Sequence, residues 1–242
     1  MELFFIILFL VAFLYASVGH GGASGYLALM AIYEVAPAEM KPTALLLNLF
    51  VSMTSFIQFY RGKYFMFRLF LPLALASVPM AFIGGMITID AAIYKKILGV
   101  LLLVAVFRFF FFRNARPEEM KPFDIKWAIA IGAFIGLLSG MIGIGGGIIL
   151  SPVLLLLKWT DQKQTAAISA LFIFVNSVSG LAGQLTQGIV FNSHMVLYVA
   201  IAFTGGLAGA YFGALKFNQN LLKYVLAVVL LLASYKLLLT KA

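Results

Sequence analysis

Ile142-Gly143-Ile144-Gly145-Gly146-Gly147 interrupts a long apolar stretch, and Val18-Gly19-His20-Gly21-Gly22-Ala23 interrupts another in the same manner. Glycine weakens a helix and admits backbone turns that other residues resist. Each break follows an apolar run of about half a membrane crossing and precedes another short one. The chain after each break is expected to start a new short helix, from Ser24 and from Ile148. The first amides of such a helix lack intrahelical acceptors, and its positive dipole end points back at the break. An end of this kind attracts anions without a formal charge.

Around the breaks the chain is oily. Its 242 residues are 64% hydrophobic and 10% charged, with a mean hydropathy of +1.08, whereas a soluble domain is about half apolar and about a quarter charged. So little polar surface cannot cover a water-soluble core, and an all-α integral membrane protein is expected. Zero cysteines exclude disulfide scaffolds, thiolate metal sites and cysteine nucleophiles. Two histidines and 8 acidic residues leave little for a metal centre, so neither metal nor cofactor is expected. The net charge of +9 is dispersed between apolar runs, as in headgroup anchors, not gathered into a nucleic-acid patch.

Reading between charges and glycine breaks gives apolar stretches at 3–33, 42–60, 69–87 and 91–112, a polar link at 113–126, then stretches at 127–157, 165–185, 195–215 and 221–239. The first lacks a basic lead-in and an Ala-x-Ala cleavage site, which predicts a retained helix rather than a signal peptide. Beyond the breaks, Thr54-Ser55 stands against Asn176-Ser177, and the small-residue run 79–85 against 207–213. The expected organisation is therefore two homologous halves: a transmembrane repeat over 1–112, the linker 113–126 and a second repeat over 127–242, forming one integrated domain. Each half holds a glycine-broken segment and three continuous spans. Single glycines commonly serve close helix packing. Matched breaks at corresponding places point instead to a transporter's binding site.

Lysine and arginine counts weigh the topology. If both broken segments cross the membrane, the 17 basic residues divide 10 against 7; if both turn back as re-entrant hairpins, they divide 12 against 5. The positive-inside rule favours the second arrangement, which places both termini outside. It also makes the halves inverted repeats whose glycine tips meet from opposite faces.

No Asp, Glu, Lys or Arg falls within 3–33, 42–60, 127–157 or 165–185. Intramembrane carboxylates mark proton relays and cation sites, so a cation carrier is disfavoured. The neutral inventory, with its hydroxyls and amides, suits an oxyanion. Most of its serines and threonines hold helices together. The candidate binding set is Gly19, His20, Gly21, Gly22, Ser24, Asn48, Thr54, Gly143, Gly145, Gly146, Gly147, Asn176 and Ser177. Within it Asn48, Thr54 and Asn176 stand out, because amides are costly in lipid and two of the three recur at matched positions. His20 either donates to an anion or caps a turn carbonyl. Pro42 reads as a helix start, Trp127 and Trp159 as interfacial anchors, and Glu34, Glu39 and Asp161 as solvated loop charges.

Gly19-His20-Gly21-Gly22, its partner Gly143 to Gly147 with Ser151-Pro152, and the Arg61-Gly62-Lys63 turn resemble the sulfite exporter TauE/SafE family. The resemblance covers nearly the whole chain. It implies a multi-pass transporter of a bacterial-type inner membrane that carries sulfur-containing anions such as sulfite, sulfonates or related organic oxyanions. The first half departs from the pattern: Ala23 replaces the third glycine, His20 enters, and no proline sits at Ala28. The expected partners are the lipid bilayer and a small anionic solute, without nucleic acid, and self-association into a homo-oligomer stays open. The expected mechanism is alternating access around the paired breaks. One alternative belongs to another class: Gly22-Ala23-Ser24-Gly25 is similar to the nucleophile string of rhomboid proteases, which would make Ser24 a hydrolase nucleophile in need of a histidine base.

Overall fold

The computed structural model describes residues 2–17, 22–111, 120–189, 193–213 and 230–239. In chain order its helices are α1 (Glu2–Ser17), α2 (Ala23–Ile32), α3 (Pro37–Arg61), α4 (Phe67–Met86), α5 (Ala91–Phe111), α6 (Ile125–Ile142), α7 (Gly147–Leu156), α8 (Gln162–Leu185), α9 (Ser193–Gly213) and α10 (Leu230–Leu239). Helix is the only regular structure among the described residues. Of these, α3, α4, α6 and α8 are each long and apolar enough to cross a membrane. Large apolar side chains face outward along the bundle, including Leu75, Phe134, Trp127 and Val196 at 62–68% exposure. Water would not tolerate so much uncovered oil on one molecule. The chain is an integral membrane protein.

Local chemistry sets the helix ends. Gly22, Gly143 and Gly146 all adopt left-handed backbone, with φ of 79°, 87° and 82°, a region that costs a side-chain-bearing residue about 1 kcal/mol or more. They start α2, end α6 and start α7 respectively. Asp124 caps α6 by accepting from the amides of Lys126 and Trp127, and Asp161 forms a capping box with Gln164 at α8. Helix α3 begins five residues before the start expected at Pro42. Pro37 takes its first turn, where a missing N–H costs nothing, and Pro42 lies inside the helix. Glu39 is accordingly a first-turn helix residue, not a loop charge. Trp159 is also no interfacial anchor: it is 7% exposed and its ring packs 6.3 Å from that of Phe123. Trp127, by contrast, is 64% exposed.

Both broken segments double back. Phe4, near the start of α1, meets Tyr33, just past the end of α2, with ring centroids 5.1 Å apart. Near the tip of this hairpin the Tyr15 and Ser24 hydroxyls lie 2.6 Å apart. In the second segment the Lys121 amide, ahead of α6, donates to the Lys158 carbonyl, just past α7, at 2.8 Å. The two hairpins open at opposite ends of the bundle. Helix α3 leaves the mouth of the first and runs 25 residues, about 37 Å at 1.5 Å per residue. Past its far end, the Tyr64 hydroxyl meets the Lys163 ammonium at 3.0 Å, at the start of α8 beside the second mouth.

Helix packing rests on small residues. Gly132, Gly136 and Gly140 of α6 lie against the backbone of Leu73, Ser77 and Ala81 of α4, so close that no Cβ fits. Equal four-residue steps in the same sense make the two helices parallel. Gly205 and Gly209 of α9 meet the backbone of Phe9 and Phe13 of α1 in the same way. Without a hydrophobic drive between helices in lipid, backbone approach of this kind supplies the contact area. Helix α3 packs on α8 and α9, while α8 packs on α3 and α4.

Candidate functional site

The second break is seated between α3 and α8. A Cβ on Gly145 would stand 2.7 Å from Asn48 Nδ2, 2.8 Å from Ile173 Cγ2 and 3.2 Å from Ser177 Oγ. Asn48 is the twelfth of the 25 residues of α3, so the break reaches the middle of the bundle. Asn48 Nδ2 donates to Ser177 Oγ at a long 3.4 Å. Next to it, Gly146 packs on Phe172 and Ile135. Gly147 lies against Ile173, and its carbonyl accepts from the Ser151 hydroxyl at 2.8 Å. The amides of Gly147 and Ile148, the first two of α7, find no acceptor among the described residues.

Asn176 donates through Nδ2 to the Phe172 carbonyl at 2.8 Å, which fixes its amide orientation. Among the described residues its Oδ1 then has no partner, nor do Asn48 Oδ1, Ser55 Oγ, Ser139 Oγ and the Tyr26 hydroxyl, although all five are buried. Leaving such a group unpaired costs about 1–3 kcal/mol. Several of them near interrupted helices mark a place where a ligand or water completes the bonding. Every buried polar residue described is neutral: Ser, Thr, Asn or Gln. Among the described residues no group of three or more His, Cys, Asp and Glu gathers that could hold a metal ion.

The sequence-nominated residues divide. Gly143, Gly145, Gly146, Gly147, Asn48 and Ser177 come together at the second break, and Asn176 stands beside Ser177 on α8, bonded to the carbonyl of Phe172. Gly22 and Ser24 sit at the first, where a Cβ on Gly22 would stand 2.6 Å from the Tyr26 hydroxyl. Gly19, His20 and Gly21 lie outside the described residues. Thr54 is six residues past Asn48 and so on a different face of α3; its hydroxyl donates to the Val51 carbonyl of its own helix at 2.8 Å.

Two residues near the site escaped the sequence reading. The main chain of Lys41 lies 3.0 Å from a Cβ position on Gly143, and its ammonium rests 5.1 Å from the centre of the Tyr94 ring. The Tyr94 hydroxyl donates to the Ile142 carbonyl at 3.0 Å, holding the end of α6 just before the break. The available signal was spacing: Lys41 precedes Asn48 by seven residues, two helical turns, on one face of α3.

This arrangement belongs to a multi-pass helical membrane protein built around interrupted helices. The family model described as Sulfite exporter TauE/SafE matches residues 4–237, and the chain belongs to that family of membrane transporters. It is 36% identical over 181 residues to the Probable membrane transporter protein y4hK of Sinorhizobium fredii, covering 72% of each chain. It is 31% identical over 140 residues to the Probable membrane transporter protein MJ0441 of Methanocaldococcus jannaschii, covering 53% of this chain and 49% of that one. With the Probable membrane transporter protein YunE of Bacillus subtilis it shares 23% over 175 residues, 64% of each chain. No solved structure matches it.

Proposed function

We propose that this protein is a secondary transporter that exports a small sulfur-containing anion, sulfite or a sulfonate, across a bacterial-type inner membrane by alternating access around its two glycine breaks. The observation that carries the reading is the seat of Gly145 between Asn48 and Ser177 at mid-helix, beside the unpaired first amides of α7. Neutral donors at a helix N-terminus bind an oxyanion yet let it go, where a buried arginine would hold it. The membrane potential drives an anion outward with about 2.3 kcal/mol per charge per 100 mV, so export requires no coupling ion in principle. The family description names sulfite export, which supports the substrate class.

The reading of two inverted repeats finds support in the packing. Counted from the left-handed caps Gly22 and Gly146, the residue opposite Asn176 is Ser52, and the one opposite Phe172 is Asn48. Ser52 Oγ donates to the Asn48 carbonyl at 2.6 Å as Asn176 Nδ2 does to that of Phe172. On this register Ser52, rather than Thr54, is the counterpart of Asn176. The hairpins opening at opposite ends support an inverted relation. They also put Arg61, Lys63, Arg68, Lys121, Lys126, Lys158 and Lys163 on one face, the cytoplasmic one by the positive-inside rule.

Flux decides the matter. Purified protein in liposomes is expected to carry sulfite in a saturable, potential-sensitive manner; flux of none among sulfite, sulfate, thiosulfate and taurine rejects the reading. For the hydrolase alternative, Ser24 meets the Tyr15 hydroxyl at 2.6 Å, a group that is no general base near neutral pH. A fluorophosphonate probe is expected to leave Ser24 unmodified.

A further inference from the structure

The buried polar groups of the site carry no charge, but a cation stands two turns above them. Lys41 and Asn48 share a face of α3, and both touch the second break, at Gly143 and Gly145 respectively. By helix rise they are about 10 Å apart along the axis. Lys41 lies on the fifth residue of α3, at the end of the bundle where the first hairpin opens. Its ammonium is held over the Tyr94 ring, and Tyr94 is itself fixed by its bond to Ile142. Among the described residues no carboxylate pairs with it; the nearby ion pair at that end of the bundle joins Lys236 to Glu34, at 2.9 Å. A half-buried ammonium at the end of a membrane helix is ordinarily neutralised or turned out to water. This one is turned inward over an aromatic face, which stabilises a cation without cancelling its charge.

Resting on the transport reading above, we infer that Lys41 is the charge-recognition residue of the site: its ammonium, steadied by Tyr94, selects for an anion at the outward mouth beside Gly143. On export the solute reaches the neutral donors around Asn48, Ser177 and Gly145 first, from the cytoplasmic side, and Lys41 last. The division has a physical logic. A cation on the outward side draws an anion toward the site through its field, while the neutral donors on its inward side hold the anion without a fixed charge of their own.

The test is sulfite flux by full-length protein in liposomes, read as half-saturation and maximal rate at low and near-physiological ionic strength. Lys41→Gln and Lys41→Met are expected to raise the half-saturation concentration roughly three- to tenfold, the effect of losing one partly screened charge. Their maximal rate should stay within about twofold, and the ionic-strength dependence of half-saturation should flatten. Lys41→Arg should behave as wild type. Lys41→His should recover affinity relative to wild type at pH 5.5 and lose it at pH 8, because imidazole is charged only below about pH 6.5. An unchanged half-saturation in Lys41→Gln, or a fall in maximal rate alone, overturns the inference. So does an arginine variant as impaired as the glutamine one, or a histidine variant without pH-dependent recovery. Saturable wild-type flux accompanied by any of these sinks only the role of Lys41. A wild-type protein that moves no anion sinks the transport reading and this inference together.

Discussion

Asn48 of α3 and Ser177 of α8 meet across 3.4 Å, and the backbone of Gly145 lies so close to both that a Cβ there would stand 2.7 Å from Asn48 Nδ2 and 3.2 Å from Ser177 Oγ. A helix break, an amide and a hydroxyl from three separate elements thus share one spot halfway along the bundle. Asn48 Oδ1 finds no hydrogen-bond partner among the described residues.

Gly146 is therefore intolerant of size. Its φ of 82° already disfavours any side chain, and a Cβ would stand 2.8 Å from Phe172 and 2.9 Å from Ile135. Gly146→Leu is expected to abolish sulfite flux while the protein still inserts into membranes. Gly22→Leu, whose side chain would run into Tyr26, should do the same. Wild-type flux in either would show that the break does not shape the path.

Asn176 tests the unpaired acceptor. Replacing it with Leu removes both the bond to Phe172 and the bare Oδ1, so flux should fall at least tenfold, about 1.4 kcal/mol. Stability should change little, because an unsatisfied buried amide is exchanged for an apolar group. Thermal unfolding in detergent and flux, measured together, separate the two effects.

Gly136 serves packing rather than binding. A Cβ there would strike the Ser77 backbone, and neither helix can yield without opening the α4–α6 seam. Gly136→Leu should lower the melting temperature markedly, by about 2 kcal/mol or more of lost stability. Intact stability would mean that the seam is not close-packed in solution.

The topology is open to chemical labelling, helped by the absence of native cysteine. A cysteine at Lys63 should resist a membrane-impermeant maleimide in intact cells, and one at Glu34 should react. The reverse pattern would invert the assigned orientation.

Glu34 also offers a pH reading. The hydrogen bond from Lys236, and then the charge of that lysine, hold its carboxyl below the usual carboxylate range. A depressed folded value means that the stabilisation is present above the ordinary carboxylate pKa and is lost as pH falls through the lowered one. Since Glu34 is well exposed, the contribution is small. Lys236→Met should leave stability nearly flat between pH 8 and 6, and the part of its difference from wild type that comes from Glu34 should vanish at strongly acid pH, leaving only the lost bond from Lys236 to the Ile32 carbonyl.

Much of the fold was legible because lipid imposes blunt rules. Long uncharged runs announced the spans, and the run Gly143 to Gly147 announced the break to within a residue, since glycine takes such left-handed turns without the cost a side chain would add. The starts expected at Ser24 and Ile148 fall one residue late. Pro42 misled because the charge of Glu39 looked like a loop residue, whereas the helix simply begins in the polar boundary at Pro37. Trp159 misled because an aromatic near a charge reads as an anchor until Phe123 is seen to cover it.

Composition and glycine placement by themselves determined that this chain lives in a membrane and where its helices break. The count of basic residues already favoured breaks that fold back, and tertiary structure alone decided that Lys41, Asn48 and Ser177 gather around the second. Hydropathy records how far each residue would rather be from water. Which faces of α3 and α8 turn toward each other depends on the close approach of distant backbones, and one-dimensional spacing does not encode it.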